Sequence, residues 1–283
     1  MPVNLTKIME KLTFTSVLDY VVPVTLFLGV LLILHVLKQM LLPHIYPMFL
    51  NSFMRKYNEA MGSFKAELLK EMKDQVESLR EKPVDGGEGS VNGESHPSLT
   101  VLEIGVGAGA NFKYYPDGTS VIAVEPNKNF ASYLEQNVAE HFPRVRLERT
   151  VVAFGEDLRG HVDDCSVDAV VITLVLCSVQ DVDAVIREVK RVLKPDGKFY
   201  FLEHVAADPQ TWTSTLQWVI QPIWSYFGDG CQLTRKISAE VDRAGFCKVH
   251  HQRFRAHPKF PRVLRPHLMG VATKSVSSAS QSC

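Results

Sequence analysis

The chain has 283 residues, enough for one catalytic domain of common size plus an appendage. Its 31 basic and 31 acidic residues give a formal net charge of zero, which removes any general attraction to nucleic acid. The five cysteines, Cys165, Cys177, Cys231, Cys247 and Cys283, are scattered with no C-x-x-C pair and no Cys/His cluster along the sequence. No metal and no disulfide framework is therefore expected, and free buried thiols are.

Residues 20–37, YVVPVTLFLGVLLILHVL, carry no charge. As a helix these residues span ~27 Å against a hydrocarbon core of ~30 Å. Lys7 and Lys11 precede the run, Lys38 closes it, and no small-residue cleavage pattern follows. A retained signal-anchor is the expectation. Residues 40–50 continue apolar, but Pro43 and Pro47 argue against a continuous helix, while His44 and Tyr46 suit a membrane interface. The expected form is a segment that enters one leaflet, or the monolayer of a lipid droplet, and turns back. Residues 1–50 thus read as a hydrophobic membrane anchor, with membrane lipid as partner.

Residues 51–82 read as an amphipathic helix, with Phe53, Tyr57, Phe64, Leu68, Met72, Val76 and Leu79 at threes, fours and sevens. Such a helix lies on a membrane, covers a pocket or packs on the domain. Residues 83–98, rich in glycine and polar residues, read as a flexible linker.

From Leu99 the pattern alternates strand and helix through 274, an α/β arrangement with a parallel sheet and helices on both faces. Val101, Leu102 and Ile104 form the first strand. Gly105, Gly107 and Gly109 follow at alternate positions, then Asn111 and a predicted helix start. Glycines there allow positive φ and close approach of backbone to a ligand, and a helix start offers free amides. Two ligands fit. Gly105, Gly107 and Ala110 satisfy the dinucleotide pattern G-x-G-x-x-A, with Glu125 about 20 residues on as a ribose-binding acid. S-adenosylmethionine fits as well, with Glu103 placed to meet its ammonium. Glu125, ending the second strand at 120–124, serves the ribose in either case.

A helix at 129–141 and a third strand at 145–152 lead to Ala153-Phe154-Gly155-Glu156-Asp157. The fourth strand, 167–174, ends at Leu174 and runs into Val175-Leu176-Cys177-Ser178-Val179. A helix containing residues 185–193, the turn Lys194-Pro195-Asp196-Gly197 and a fifth strand at 199–203 follow.

The E-x-G-x-G-x-G pattern from Glu103 to Gly109 resembles the first motif of class I methyltransferases. That likeness implies adenine held in the loop after the third strand by an acid and a backbone N–H, with Gly155, Glu156 and Asp157 as candidates; Phe154 stands where many relatives carry an acid. Asp168-Ala169-Val170-Val171, the helix around Glu188 and Leu193-Lys194-Pro195-Asp196-Gly197 are similar, in order, to the small-molecule methyltransferases. Nicotinamide enzymes lack this series, so S-adenosylmethionine is the expected cofactor.

Val175 to Val179, Glu203-His204-Val205, Gly228-Asp229-Gly230-Cys231 and Pro266-His267-Leu268-Met269-Gly270 further resemble the membrane-anchored thiol S-methyltransferases, also called methyltransferase-like seven proteins. The resemblance implies methylation of small lipophilic alkyl thiols at the endoplasmic reticulum membrane and lipid droplets, with the catalytic domain facing the cytosol.

His204, after the fifth strand, is the candidate base. Cys177 is a candidate pocket residue. Trp212, Trp218 and Trp224, with Tyr226 and Phe227, are expected to form an apolar substrate wall, and Asp229 and Arg235 are the polar candidates nearby. The rival readings are methylation of a phenol, quinone or RNA base, and a non-catalytic lipid-droplet coat protein. Neutral charge and the missing N-P-P-[YFW] motif disfavour the base, and the intact glycine motif disfavours the coat protein. The serine-rich end, 275–283, is predicted to be disordered.

Overall fold

The structure, a computed structural model, describes residues 14–81 and 99–276. Lys7, Lys11, the expected linker at 83–98 and the tail from 277 lie outside the described residues. The chain divides into two compact units, Met1–Leu50 and Asn51–Cys283.

Helix α1 spans Phe14–Ala60 and passes through Pro43 and Pro47 without a break, against the expected turn-back. Each proline removes one amide donor, at about 3 kcal/mol. Spaced four apart, the two defects fall close together on one side, and the rest of the hydrogen-bond ladder carries the helix past them. Among the described residues no helix is long and apolar enough to cross a membrane. The apolar side chains between 21 and 37 are exposed, Leu26 by 66% and Phe27 by 63%.

In the second unit, the single helix expected over 51–82 is three pieces: the end of α1, α2 (Gly62–Leu68) and α3 (Lys70–Glu81). The breaks fall at Met61 and Leu69, both buried. A straight helix would set Leu68 and Leu69 about 100° apart around its axis; the break lets both turn inward. Tyr57, Met61, Leu68, Leu69, Met72 and Val76 pack in one cluster with the sheet residues Val101, Val121, Val171 and Leu202.

Seven strands follow: β1 (Thr100–Ile104), β2 (Thr119–Val124), β3 (Val145–Val151), β4 (Val167–Thr173), β5 (Leu193–His204), β6 (Lys248–Arg255) and β7 (Pro266–Thr273). They lie in the order β3-β2-β1-β4-β5-β7-β6. The first five are parallel, as expected, but β7 runs antiparallel to both β5 and β6. Strand β5 is longer than the sequence pattern suggests. Leu193 already pairs with Val167, and a register shift absorbs the Lys194-Pro195-Asp196-Gly197 turn inside β5. There Asp196 takes φ 60°, and a side chain on Gly197 would meet the Lys194 carbonyl at 2.8 Å.

The helices α4 (Ala131–His141), α5 (Val182–Val192), α6 (Trp212–Phe227) and α7 (Ile237–Arg243) complete the unit. On α5, Val182, Val185, Ile186, Val189 and Val192 recur at threes and fours and are all buried. They pack with Leu102, Phe199 and Phe201 in a second apolar cluster. Full burial of each is worth about 1.5–3 kcal/mol. The Asp181 carboxylate caps α5 by accepting the Ala184 amide at 3.0 Å. Between β2 and β4, strand β1 sits where the strand order reverses, the place at which open α/β sheets bind ligands beyond their carboxyl ends.

Candidate active site

The chain leaves β1 through the glycine turn. Gly105, Gly107 and Gly109 all have positive φ, at 69°, 52° and 80°. A side chain on Gly105 would strike Val175 at 2.2 Å, whereas one on Gly107 would point into open space with no atom within 4 Å. Gly105 therefore serves the close approach of two loops, and Gly107 leaves room for a ligand. The α-helix expected after the turn is only a 3-10 turn at Phe112–Tyr114, because Pro116 and the Asp117-Gly118 reversal follow at once. No helix terminus thus adds its amides to the cradle.

Glu103 is 2% exposed. One oxygen accepts the Asn111 side-chain amide at 2.8 Å and the other accepts the Tyr115 hydroxyl at 2.6 Å. Lys65, on α2 and also buried, donates to Asn111 Oδ1 at 2.7 Å and to Asn58 Oδ1 at 2.8 Å. Asn111 further donates to Thr173 Oγ1 at 3.0 Å. Burial pushes the Glu103 carboxyl up to about 7, against the lowering pull of Tyr115, Asn111 and the Lys65 charge. Burial pushes Lys65 down to about 8. Glu103 is thus engaged by protein donors rather than open to a ligand ammonium. It fixes Asn111 and Tyr115 below the glycine turn, and its counter-charge comes from the helices that precede the linker.

Glu125 accepts the Gly107 amide at 3.0 Å and the Asn127 amide at 3.0 Å. Burial raises its pKa, and the nearby Asp229 charge adds to the effect. Asp229 itself is exposed at φ 52°. In the loop after β3, Glu156 accepts the Gln180 amide at 2.8 Å through Oε1, while its buried Oε2 has no partner. Asp157 is exposed and accepts the Arg159 amide at 3.2 Å. A side chain on Gly155 would meet Ile104 at 2.8 Å, so that glycine allows the loop to lie against β1. Phe154 is exposed. Leu174 takes φ 61°, rare for a branched residue, and is held by its amide on the Leu202 carbonyl at 2.9 Å.

Glu203, unremarked in sequence beyond its motif, organises the loop after β4. Its Oε1 accepts the Val175 and Leu176 amides, each at 2.9 Å. Burial raises its carboxyl to about 7, and Oε2 has no partner. Arg235 pins the same loop from the other side, donating to the Leu176 and Val179 carbonyls at 2.6 and 2.8 Å. It acts on backbone rather than facing a substrate.

The sequence shows no Cys/His cluster, but the fold assembles one. Cys177, His204 and Cys231 are all buried, with ligand atoms within 4.8 Å of one another. His204 Nε2 lies 2.7 Å from Cys231 Sγ, which also receives the Trp224 indole N–H at 3.1 Å. Hydrogen bonds from Cys177, His204 and Trp224 drive Cys231 down to about 4, against desolvation. Cys177 moves the opposite way, raised by its contact with Cys231 and by burial. Of the other described cysteines, Cys247 is an exposed free thiol and Cys165 is disulfide-bonded, so the expectation of buried free thiols holds only for Cys177 and Cys231.

The expected aromatic wall is mostly absent. Trp212 and Trp218 are 86% and 74% exposed. On α6 the inward positions are Thr213 and Gln217, whereas Trp212, Leu216, Val219 and Ile223, at intervals of four and three, form one solvent-facing apolar stripe. Of the three tryptophans only Trp224 touches the cluster. Tyr57 contributes from α1, its hydroxyl hydrogen-bonded to His267, whose imidazole burial pushes down to about 4.

This strand order and glycine cradle define a class I methyltransferase. Residues 102–201 match the family model described as a methyltransferase domain. A SAM-dependent methyltransferase from Thermotoga maritima, described as a possible histamine N-methyltransferase, shares the fold at 18% identity and TM-score 0.51, over 82% of this chain and 99% of that one. A SAM-dependent methyltransferase from Methanosarcina mazei does so at 16% identity and TM-score 0.50, over 64% and 94%. Thiol S-methyltransferase TMT1A of Homo sapiens is 43% identical over 229 residues, 81% of this chain and 86% of the relative. Thiol S-methyltransferase TMT1B of Homo sapiens is 40% identical over 77% and 82%, and that of Rattus norvegicus 37% over 81% and 86%. The chain belongs to the thiol S-methyltransferase family.

Proposed function

We propose that this protein transfers the methyl group of S-adenosylmethionine to small lipophilic alkyl thiols at a membrane surface. The observation that carries the reading is the 43% identity to a thiol S-methyltransferase across a domain whose ligand edge is intact. The residues fit the cofactor. Gly107 opens into free space, Glu125 is fixed by two backbone amides with lone pairs left for ribose hydroxyls, and Glu156 keeps a buried oxygen unpaired for an adenine amine. The bound cofactor supplies an electrophilic methyl on a sulfonium. The chain supplies position: Glu203 and Arg235 lock the β4 loop, so that a thiol beside Cys177 and His204 is held in line and kept from water. An alkyl thiol with an ordinary pKa of ~8.5 is a few per cent thiolate at neutral pH, so the demand on a base is small.

Two features support a lipid surface as partner: the exposed apolar residues of α1 and the solvent-facing stripe of α6. The first would lie in the lipid of the endoplasmic reticulum or a droplet monolayer, with the second unit in the cytosol. Lipophilic thiols concentrate in that phase. The test is turnover: detergent-solubilised full chain with methyl-labelled cofactor and alkanethiols, phenols and amines at matched concentration. Labelled thioether from the alkanethiols is expected. Labelled ether or methylamine with no thioether would overturn the reading.

A further inference from the structure

Three donor atoms that ligate soft metals meet at the carboxyl edge of the sheet, next to the β4 loop. Cys177 comes from that loop, His204 is the last residue of β5, and Cys231 lies in the turn after α6. The backbone beneath them is fixed. The Gln232 amide donates to the Cys177 carbonyl at 2.7 Å, the Cys231 amide to the Gly228 carbonyl at 3.1 Å, and Glu203 and Arg235 hold the residues on either side of Cys177. All three side chains are buried, and His204 Nδ1 has no partner.

We propose that Cys177, His204 and Cys231 form a three-ligand site for a zinc-type cation, whose fourth position takes the sulfur of the substrate. Two thiolates and one imidazole are a donor set suited to zinc, and three protein ligands with one open position are the pattern of catalytic rather than structural zinc. With metal–sulfur bonds of about 2.3 Å and metal–nitrogen bonds of about 2.0 Å, tetrahedral coordination needs donors roughly 3.5 Å apart. The trio lies within 4.8 Å, and the 2.7 Å His204–Cys231 contact has to widen to admit the ion. The Trp224 N–H on Cys231 Sγ is an outer partner of the kind that steadies a metal thiolate. Two cysteinates and an imidazole leave the divalent site neutral, so one further thiolate can join it.

The catalytic half rests on the thiol reading above. A substrate thiol gives its proton to water on binding the cation. Its sulfur then forms the new bond to the methyl carbon, and the sulfonium's carbon–sulfur bond breaks with its electron pair staying on S-adenosylhomocysteine. The cation is unchanged, so electrons and atoms balance.

The test uses the full chain in detergent, reduced, stripped with a chelator and titrated with cobalt(II). Sulfur-to-cobalt charge-transfer absorption with tetrahedral visible bands, displaced by zinc, is expected. Cys231→Ser and His204→Ala should weaken binding at least about 100-fold, beyond the cost of losing an outer partner, and Trp224→Phe about tenfold. Cys247→Ser, which removes an exposed thiol elsewhere, should change nothing. A missing charge-transfer band, or one that survives Cys231→Ser, overturns the site. Thiol methylation undiminished after complete metal removal overturns its catalytic role. Cobalt bound as described with no thioether formed by the zinc-loaded protein leaves the metal site standing and strikes the substrate reading instead.

Discussion

Lys65 Nζ donates to Asn111 Oδ1 at 2.7 Å, tying a helix that precedes the linker to the end of the glycine turn. The contact ties the second unit's helices to the glycine turn that is proposed to hold the cofactor. Lys65 is also the nearby positive charge that offsets buried Glu103. Replacing Lys65 by methionine keeps the volume but strands that carboxylate and leaves Asn58 and Asn111 without their donor. A loss of about 1–3 kcal/mol is expected, the range for leaving buried polar groups without their hydrogen-bond partner. Urea unfolding of the full chain in detergent measures it; a change below about 1 kcal/mol would show that the network carries no weight.

The same pair sets a pH dependence. Glu103 rises from the ordinary 4.5 to about 7, so between those values the folded state holds a proton that the unfolded chain has lost. Stability therefore falls as pH rises through that window. Lys65 drops from 10.5 to about 8, so from pH 8 upward the folded state releases its proton first and stability recovers toward pH 10.5. Glu103→Gln should erase the lower limb: from pH 5 to 7 the wild type should lose stability relative to this variant. Parallel unfolding curves for the two proteins at both pH values would contradict the assignment.

Gly107 and Glu125 are the residues proposed to contact the cofactor. Valine at Gly107 would fill the open space at the turn and strain a backbone at φ 52°. Alanine at Glu125 removes the carboxylate that bonds the Gly107 and Asn127 amides. Each variant should bind S-adenosylhomocysteine at least tenfold more weakly, ~1.4 kcal/mol, by calorimetry on protein shown to be folded. Wild-type affinity in both would remove the ribose site from this edge.

Much of the fold was legible because its signals are local. The apolar runs at Val101–Ile104 and Val167–Thr173, the glycine turn and the α5 stripe each lie within a dozen residues. The antiparallel direction of β7 was not, since strand sense depends on a crossover that no short pattern records. The same limit hid which of the site's inner residues meet. Cys177, His204 and Cys231 come from a loop, a strand end and a turn far apart in sequence, and Lys65 stands 46 positions before Asn111. A lone lysine on a charged helix face looks solvated until the sheet beneath it is known. Trp212 and Trp218 misled for a related reason: aromatic content does not say which side of α6 faces in, whereas buried Thr213 and Gln217 do.

Under the proposed lipid contact, removing residues 1–50 should free the protein from membranes, because the exposed apolar residues of α1 between 21 and 37 go with them. The second unit, Asn51–Cys283, should keep its fold, with its own two large apolar clusters intact. Fractionation with an alkaline wash decides between the outcomes. A folded truncated protein retained wholly in the pellet would place the membrane contact elsewhere.

Sulfur is the atom proposed to receive the methyl group. An ω-mercaptoalkanol presents thiol and hydroxyl in one molecule, at one concentration and with one partition into lipid. Incubated with the full chain and S-adenosylmethionine, it should yield the S-methyl thioether, identified by mass spectrometry, with no O-methyl ether. Formation of the ether in place of the thioether would contradict the account and leave only the fold and the cofactor cradle standing.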